Sequence, residues 1–268
     1  METKELIRAG RLQEARIRIA EEVKASPSDA AKRTLLFQVL AFCGEWDKAE
    51  RHLEIIAERD PRAETGAQVY RNLITAEKKR DEVFQGTGRP SWMARMPDWL
   101  EELFQAREKL SAGAPDQASA ILRKIDGQTP AVSGVVDGTA FRKFRDAVDF
   151  LAHFLEVFIH DSYLWFPFGS LREVSVSEPK SQLDLLWIPA RITTTEGLAV
   201  GCYLPVLYPD SRRSDDDRVR LGRMTDWREL GGGLYQGVGQ HVFLAGKEEK
   251  PLLEIREILF HEKKKGGV

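Results

Sequence analysis

Only two cysteines, Cys43 and Cys202, occur in 268 residues, so neither a disulfide framework nor a cysteine-rich zinc site is available. No window approaches eighteen consecutive apolar residues, which leaves no helical membrane span. Excess charge of one sign is missing too. Forty Lys and Arg against 42 Asp and Glu leave a formal net charge of −2, too little to draw the chain to nucleic acid or an anionic membrane surface. The opening METKELIRAG lacks the apolar stretch and small-residue cleavage site of a signal peptide, so the cytosol is the expected compartment. What is plentiful is ordinary: 42% hydrophobic and 31% charged residues are enough for one large domain or two modest ones with real cores.

The front half carries a repeat. Gly10 and Gly44 stand 34 residues apart, as do Ala15 and Ala49, and Pro27 and Pro61. A third unit begins at Gly113 and closes near Pro130, two periods plus one residue beyond the second. This period is that of tetratricopeptide-like helical hairpins. Glycine lets the chain leave the first helix through a left-handed turn, a small alanine lets the second helix sit close, and proline ends the unit. The second helices carry Leu12, Ile19 and Val23 in the first unit, and Leu53 and Ile56 in the second. Between 64 and 97 the unit is degenerate. Its turn is occupied by TAEKKRDEVF, so the first helix is expected to run on until Thr87-Gly88-Arg89-Pro90 breaks it. Phe141, Phe144, Val148, Leu151, Leu155 and Phe158 recur at helical steps and predict one further helix over 139–163.

After Tyr163 the pattern becomes alternating, with short strands expected in WFPFGSLREVSV, LLWIPARITTTEG, LAVGCYLPVLYP, HVFLAG and LLEIREILF. Prolines 167, 189, 205 and 209 demand short, bent or edge strands. The expected fold class is α+β: tetratricopeptide-like hairpins over 1–163, then a small twisted sheet or open barrel over 164–268.

Chemistry-bearing patterns are sparse. Asp215-Asp216-Asp217 is the best apparent metal or acid site, but three consecutive carboxylates cannot all face one cation, and arginines interleave, so a solvated loop is expected. Gly231-Gly232-Gly233 and Gly237-x-Gly239 lack the spacing of either phosphate-binding glycine motif and read as turns. The five histidines, His52, His153, His160, His241 and His261, form no paired ligand set in sequence. No catalytic residue, metal or cofactor is called for. In the phase fixed by Gly44, Ala49 and Pro61, the concave face of the helical array presents Thr34, Gln38, Phe42, Gln68, Asn72, Thr75, Leu103 and Arg107 as partner-binding candidates. A second candidate surface comprises Trp187, Arg191, Arg223, Asp226 and Trp227. The alternative for that set is two core tryptophans supported by an ion-pair network.

The ordered run WFPFGSL, DLLWIPAR with TTEG, YLPVLYP, LGRMTDWREL, YQGVGQ and LLEIREILF, spanning Tyr163 to Phe260, resembles the ImpE/TagJ (SciE) family. These are accessory proteins of bacterial type VI secretion systems. The resemblance implies a non-catalytic cytoplasmic adaptor. Such a protein binds the N-terminal helix of the small contractile-sheath subunit and is linked to the ClpV-type ATPase that disassembles the sheath. It implies no catalytic residues. Two other functions compete: a metal-dependent hydrolase using Asp215 to Asp217, and a permanent structural subunit of a larger assembly.

Overall fold

A computed structural model describes residues 1–261. The first seven helices are α1 (Thr3–Arg8), α2 (Leu12–Ala25), α3 (Ala30–Phe42), α4 (Trp46–Arg59), α5 (Glu64–Gln85), α6 (Leu100–Ser111) and α7 (Pro115–Gln128). The hairpins α1–α2, α3–α4 and α6–α7 turn at Gly10, Gly44 and Gly113, with φ of 75°, 67° and 75°. A side chain on Cβ disfavours that left-handed backbone, which is why glycine marks each turn. Ala15, Ala49 and Ala118 follow five residues later and are fully buried where the second helix meets its partner. The degenerate unit behaves as its charges predict: α5 runs on for 22 residues and ends at Gly86, in the left-handed region. Among the described residues no helix is long and apolar enough to cross a membrane.

The helix expected over 139–163 does not form. Helices give way to strands between Gln128 and Gly134, not near 163. In that stretch lie β1 (Gly134–Val136), β2 (Thr139–Phe141), β3 (Phe144–Asp146), β4 (Phe154–Ile159) and the start of β5 (Ser162–Pro167). The physical reason is burial on both faces. Every residue of β4 is buried, and an apolar run covered on both sides carries no alternation to set it apart from a helix. Phe141 and Phe144, three residues apart, sit on different strands. The Asp137-Gly138 turn, with both residues at positive φ, carried the true hairpin signal.

The remaining elements are β6 (Leu171–Val176), β7 (Trp187–Thr194), β8 (Ala199–Pro205), α8 (Asp217–Arg220), β9 (Thr225–Gly231), β10 (Leu234–Gly239), β11 (Val242–Ala245), β12 (Glu248–Pro251) and β13 (Glu257–Phe260). An eight-stranded antiparallel sheet runs β2-β1-β13-β6-β7-β8-β4-β5. It is larger than the small sheet expected because residues 134–163 add strands to it. A second sheet runs β12-β11-β3, and β9–β10 form a hairpin. The prolines obey their missing N–H: Pro167 and Pro205 end strands, and Pro189 lies just beyond the stretch of β7 that pairs with β6. One continuous apolar core joins helices and strands, from Leu6 to Phe260.

Candidate functional site

The helices and the sheet meet across a buried ionic seam. Arg80 on α5 reaches Glu156 on β4 with two parallel hydrogen bonds, Nε to Oε1 at 2.7 Å and Nη2 to Oε2 at 2.8 Å. Its Nη2 also donates to the Leu207 carbonyl at 2.9 Å. His241 bridges two carboxylates, with Nε2 2.9 Å from Glu156 and Nδ1 3.0 Å from Asp146. Tyr208 donates to the other Asp146 oxygen at 2.9 Å, and Tyr163 donates to Glu156. One turn before Arg80, Glu77 accepts from Trp187 Nε1 at 3.0 Å. Arg80, Glu77, Glu156, Asp146 and His241 are all buried.

Such a network persists only when each charge is answered. Burial alone would raise the Glu156 carboxyl, but the Arg80 charge and the hydrogen bonds from His241 and Arg80 hold it well below the usual carboxylate range. Burial would likewise lower His241, yet its hydrogen bonds to Asp146 and Glu156 keep it above its ordinary value. Glu77 is pushed up by burial, which Arg80 only partly offsets. The cavity beside Asp146, Glu156 and His241 measures about 10 Å³, room for a single water at most. The network therefore acts as a latch holding α5 to the sheet.

The latch has a pH signature. A raised histidine contributes stability that is complete below its ordinary pKa of 6.5 and is lost as pH climbs through the folded value. Glu77, also raised, loses its share over a window that begins near 4.5. Glu156, depressed, contributes stability that is present above 4.5 and lost as pH falls toward its folded value. The melting temperature is therefore expected to peak at mildly acidic pH and to decline toward alkaline pH. Thermal melts of His241→Gln across the same range should lose part of the alkaline slope. An alkaline limb identical to that of the unaltered chain would remove His241 from the account.

A second set of clamps comes from the segment that follows β8. Arg212 lies over the Gly44 turn, where an added Cβ would stand 2.0 Å from its Cδ, and pairs with Asp81 on α5 at 2.7 Å. Arg223 donates to the carbonyls of Ile7 and Arg8, at 2.7 and 2.8 Å, at the end of α1. Asp217 accepts from Gln13 N at 3.0 Å, at the start of α2. Two of the three aspartates thus serve as caps and ion pairs: Asp216 caps α8 and pairs with Arg218, and Asp217 pairs with Arg220. Among the described residues no group of three or more His, Cys, Asp or Glu is placed to hold a metal ion. The triple glycine also has a packing role, since a Cβ on Gly232 would stand 2.7 Å from the Pro115 carbonyl at the start of α7.

The partner-binding candidates separate by exposure. Phe42 and Leu103 lie in the core, 1% and 3% exposed. Thr34 and Gln68 are exposed, and Gln38, Asn72 and Thr75 are half-buried. Gln68 donates to Asn72 at 2.8 Å, while the Thr34 and Thr75 hydroxyls donate to backbone carbonyls one turn earlier. Arg107 is half-buried over the Phe84 ring. In the second set Trp187 is buried against Tyr70 and Trp46, and Trp227 is 36% exposed beside Tyr208. Arg191 and Asp226 are exposed. No ion pair joins Arg191, Arg223 and Asp226 among the described residues; Arg223 is spent on α1.

The seam residues do not stand out in the sequence. Arg80 sits inside TAEKKRDEVF, which reads as a charge run. Yet Leu73, Ala76, Glu77, Arg80 and Val83 share the buried face of α5. Glu156 was the other available signal, a lone carboxylate inside the apolar run FLEVFI.

These features define an α+β protein, with helical hairpins latched to an antiparallel sheet through one core. Residues 138–259 match the ImpE protein family. The chain is 36% identical over 260 residues to the type VI secretion system accessory component TagJ of Pseudomonas aeruginosa strain PAO1, covering 97% of this chain and 91% of that relative. The crystal structure of protein VPA1032 from Vibrio parahaemolyticus has the same fold, with a TM-score of 0.89 at 23% identity over 97% of this chain and 98% of that one. The chain belongs to the ImpE/TagJ family.

Proposed function

We propose that the chain is a cytoplasmic, non-catalytic adaptor of a bacterial type VI secretion system. In this reading it binds the N-terminal helix of the small contractile-sheath subunit and connects the sheath to the ClpV-type disassembly ATPase. The observation that carries the reading is kinship with the TagJ accessory component along nearly the whole chain. Support also comes from the hairpins, whose glycine turns and buried alanines at a 34-residue period suit tetratricopeptide-like repeats, a scaffold for holding peptides.

Within that reading, Thr34, Gln38, Gln68, Asn72 and Thr75 form the polar part of the docking face. Amides there hydrogen-bond a helix or extended segment without demanding one sequence. Because Phe42 and Leu103 are buried, the face offers its partner polar contacts rather than those two apolar anchors. The test is calorimetry of the chain against a synthetic N-terminal helix of the cognate small sheath subunit. Gln38→Ala combined with Asn72→Ala is expected to weaken binding by about 0.5–1.5 kcal/mol per lost hydrogen bond. Unaltered affinity with an intact melting temperature would move the site to the surface around Arg191 and Trp227.

A further inference from the structure

A cleft of about 630 Å³ opens between the end of α5, with the Gly86–Arg89 turn, and the second half of α6. Two arginines line it, each laid on an aromatic ring. The Arg89 guanidinium carbon stands 3.5 Å from the centroid of Phe104, whose ring is itself stacked on Trp165 at 6.0 Å. The Arg107 guanidinium lies 4.6 Å from the Phe84 centroid and donates one hydrogen bond, to the Phe84 carbonyl. Stacking fixes the plane of each fork before anything binds.

Among the described residues neither fork is held in a close ion pair. Arg107 forms no ion pair among the described residues, although its side chain is half-buried. Arg89 has one weak pair, with Glu101 at 3.5 Å, its own side chain half in solvent and that of Glu101 largely so. The cleft's own acid, Glu108, is exposed and pairs with neither arginine among the described residues. Adjacent helix positions do not face one another, so Glu108 cannot answer Arg107. In a chain of net charge −2, two preorganised cations in one cleft are a local feature and not a general basicity.

We propose that this cleft binds a carboxylate of a protein ligand, with Arg89 and Arg107 as its forks. Planar guanidinium groups match the two oxygens of a carboxylate. A phosphate is a poorer fit, because the turn offers no nest of free amides: the N–H groups of Gly86, Thr87 and Gly88 are taken by the carbonyls of Val83 and Glu82. The volume exceeds that of a single ion, and Val83, Phe104 and Ala112 give an apolar wall for the aliphatic part of an acidic side chain. The choice of a protein ligand rests on the adaptor reading; the carboxylate chemistry does not.

The experiment follows the Nε–H resonances of Arg89 and Arg107 in the isotopically labelled full chain at constant ionic strength. Glutarate is the probe, glutaramide the neutral isostere and inorganic phosphate the competing anion. Both resonances should shift saturably with glutarate in the millimolar range, and glutaramide should bind at least ~10-fold more weakly, as the loss of charge-assisted bonds requires. Arg89→Gln should weaken glutarate at least ~5-fold at an unchanged melting temperature, since that side chain is half in solvent and its loss exposes no buried charge. Equal binding of glutarate and glutaramide, shifts that never saturate, or tighter binding of phosphate would overturn the proposal. If the chain retrieves its partner equally well with and without Arg89→Gln, the protein-ligand assignment of the cleft fails while the adaptor reading survives.

Discussion

Replacing Arg80 with alanine is expected to lower the unfolding free energy by about 3–5 kcal/mol at neutral pH, the range seen when one partner of a buried ion pair is removed. The change strands Glu156, which keeps only His241 and Tyr163 as partners, and removes the hydrogen bond to the Leu207 carbonyl. Urea melts of the altered and unaltered chains measure the difference. Arg80→Lys keeps the charge but loses the two-pronged geometry, so it should fall between them. The defect of Arg80→Ala should also shrink as pH is lowered, because a protonated Glu156 no longer needs a cation. A loss under about 1 kcal/mol, on the scale of an exposed pair, would show that the seam is solvated and does not latch the helices to the sheet.

Ala49→Glu is the second change of large effect. Ala49 is 0% exposed where α4 packs on α3, and Leu53 and Ala57 continue the same buried stripe. Glutamate adds volume to a filled contact and places a carboxylate at a fully buried position. Overpacking and burial of the charge together should cost on the order of 4 kcal/mol or more, a large share of the roughly 5–15 kcal/mol that holds a typical domain. Ala49→Gly, which adds no volume, is the control and should cost about 1–2 kcal/mol, through helix propensity and the loss of one buried methyl. A melting temperature unchanged by the glutamate would mean that the close approach of the two helices is misplaced.

The helical repeat was legible in sequence because its markers are backbone devices. Gly10, Gly44 and Gly113 sit where only a left-handed residue turns the chain, and Ala15, Ala49 and Ala118 sit where only a small side chain fits. Such requirements depend on local geometry and survive as spacing. The back half was legible where one face of a strand is solvated, as in β6, where Leu171, Val174 and Val176 are buried and Arg172 is exposed. Legibility failed over 134–163, where β4 is covered on both sides so that its apolar residues lose their period, and where β1 to β3 are only three residues long each. The candidate site was less accessible still. The seam joins Arg80 to Glu156, His241 and Asp146, residues from distant parts of the chain, and apart from Glu156 in its apolar run each alone resembles a surface polar group. What sets them apart is convergence on one dry point, a property of tertiary packing. The spacing places Arg107 on the concave face; its stacking on Phe84, with no counter-ion among the described residues, emerges only when α5 and α6 are side by side.

Affinity purification tests the proposed adaptor role at the sheath most directly. The tagged full chain is expressed in a bacterium that assembles its cognate secretion system, beside a small sheath subunit that either keeps or lacks its N-terminal helix. The account predicts that the intact sheath subunit co-purifies with the chain and that removing its helix abolishes recovery. Equal recovery with and without the helix, or no recovery of the intact subunit, would contradict it.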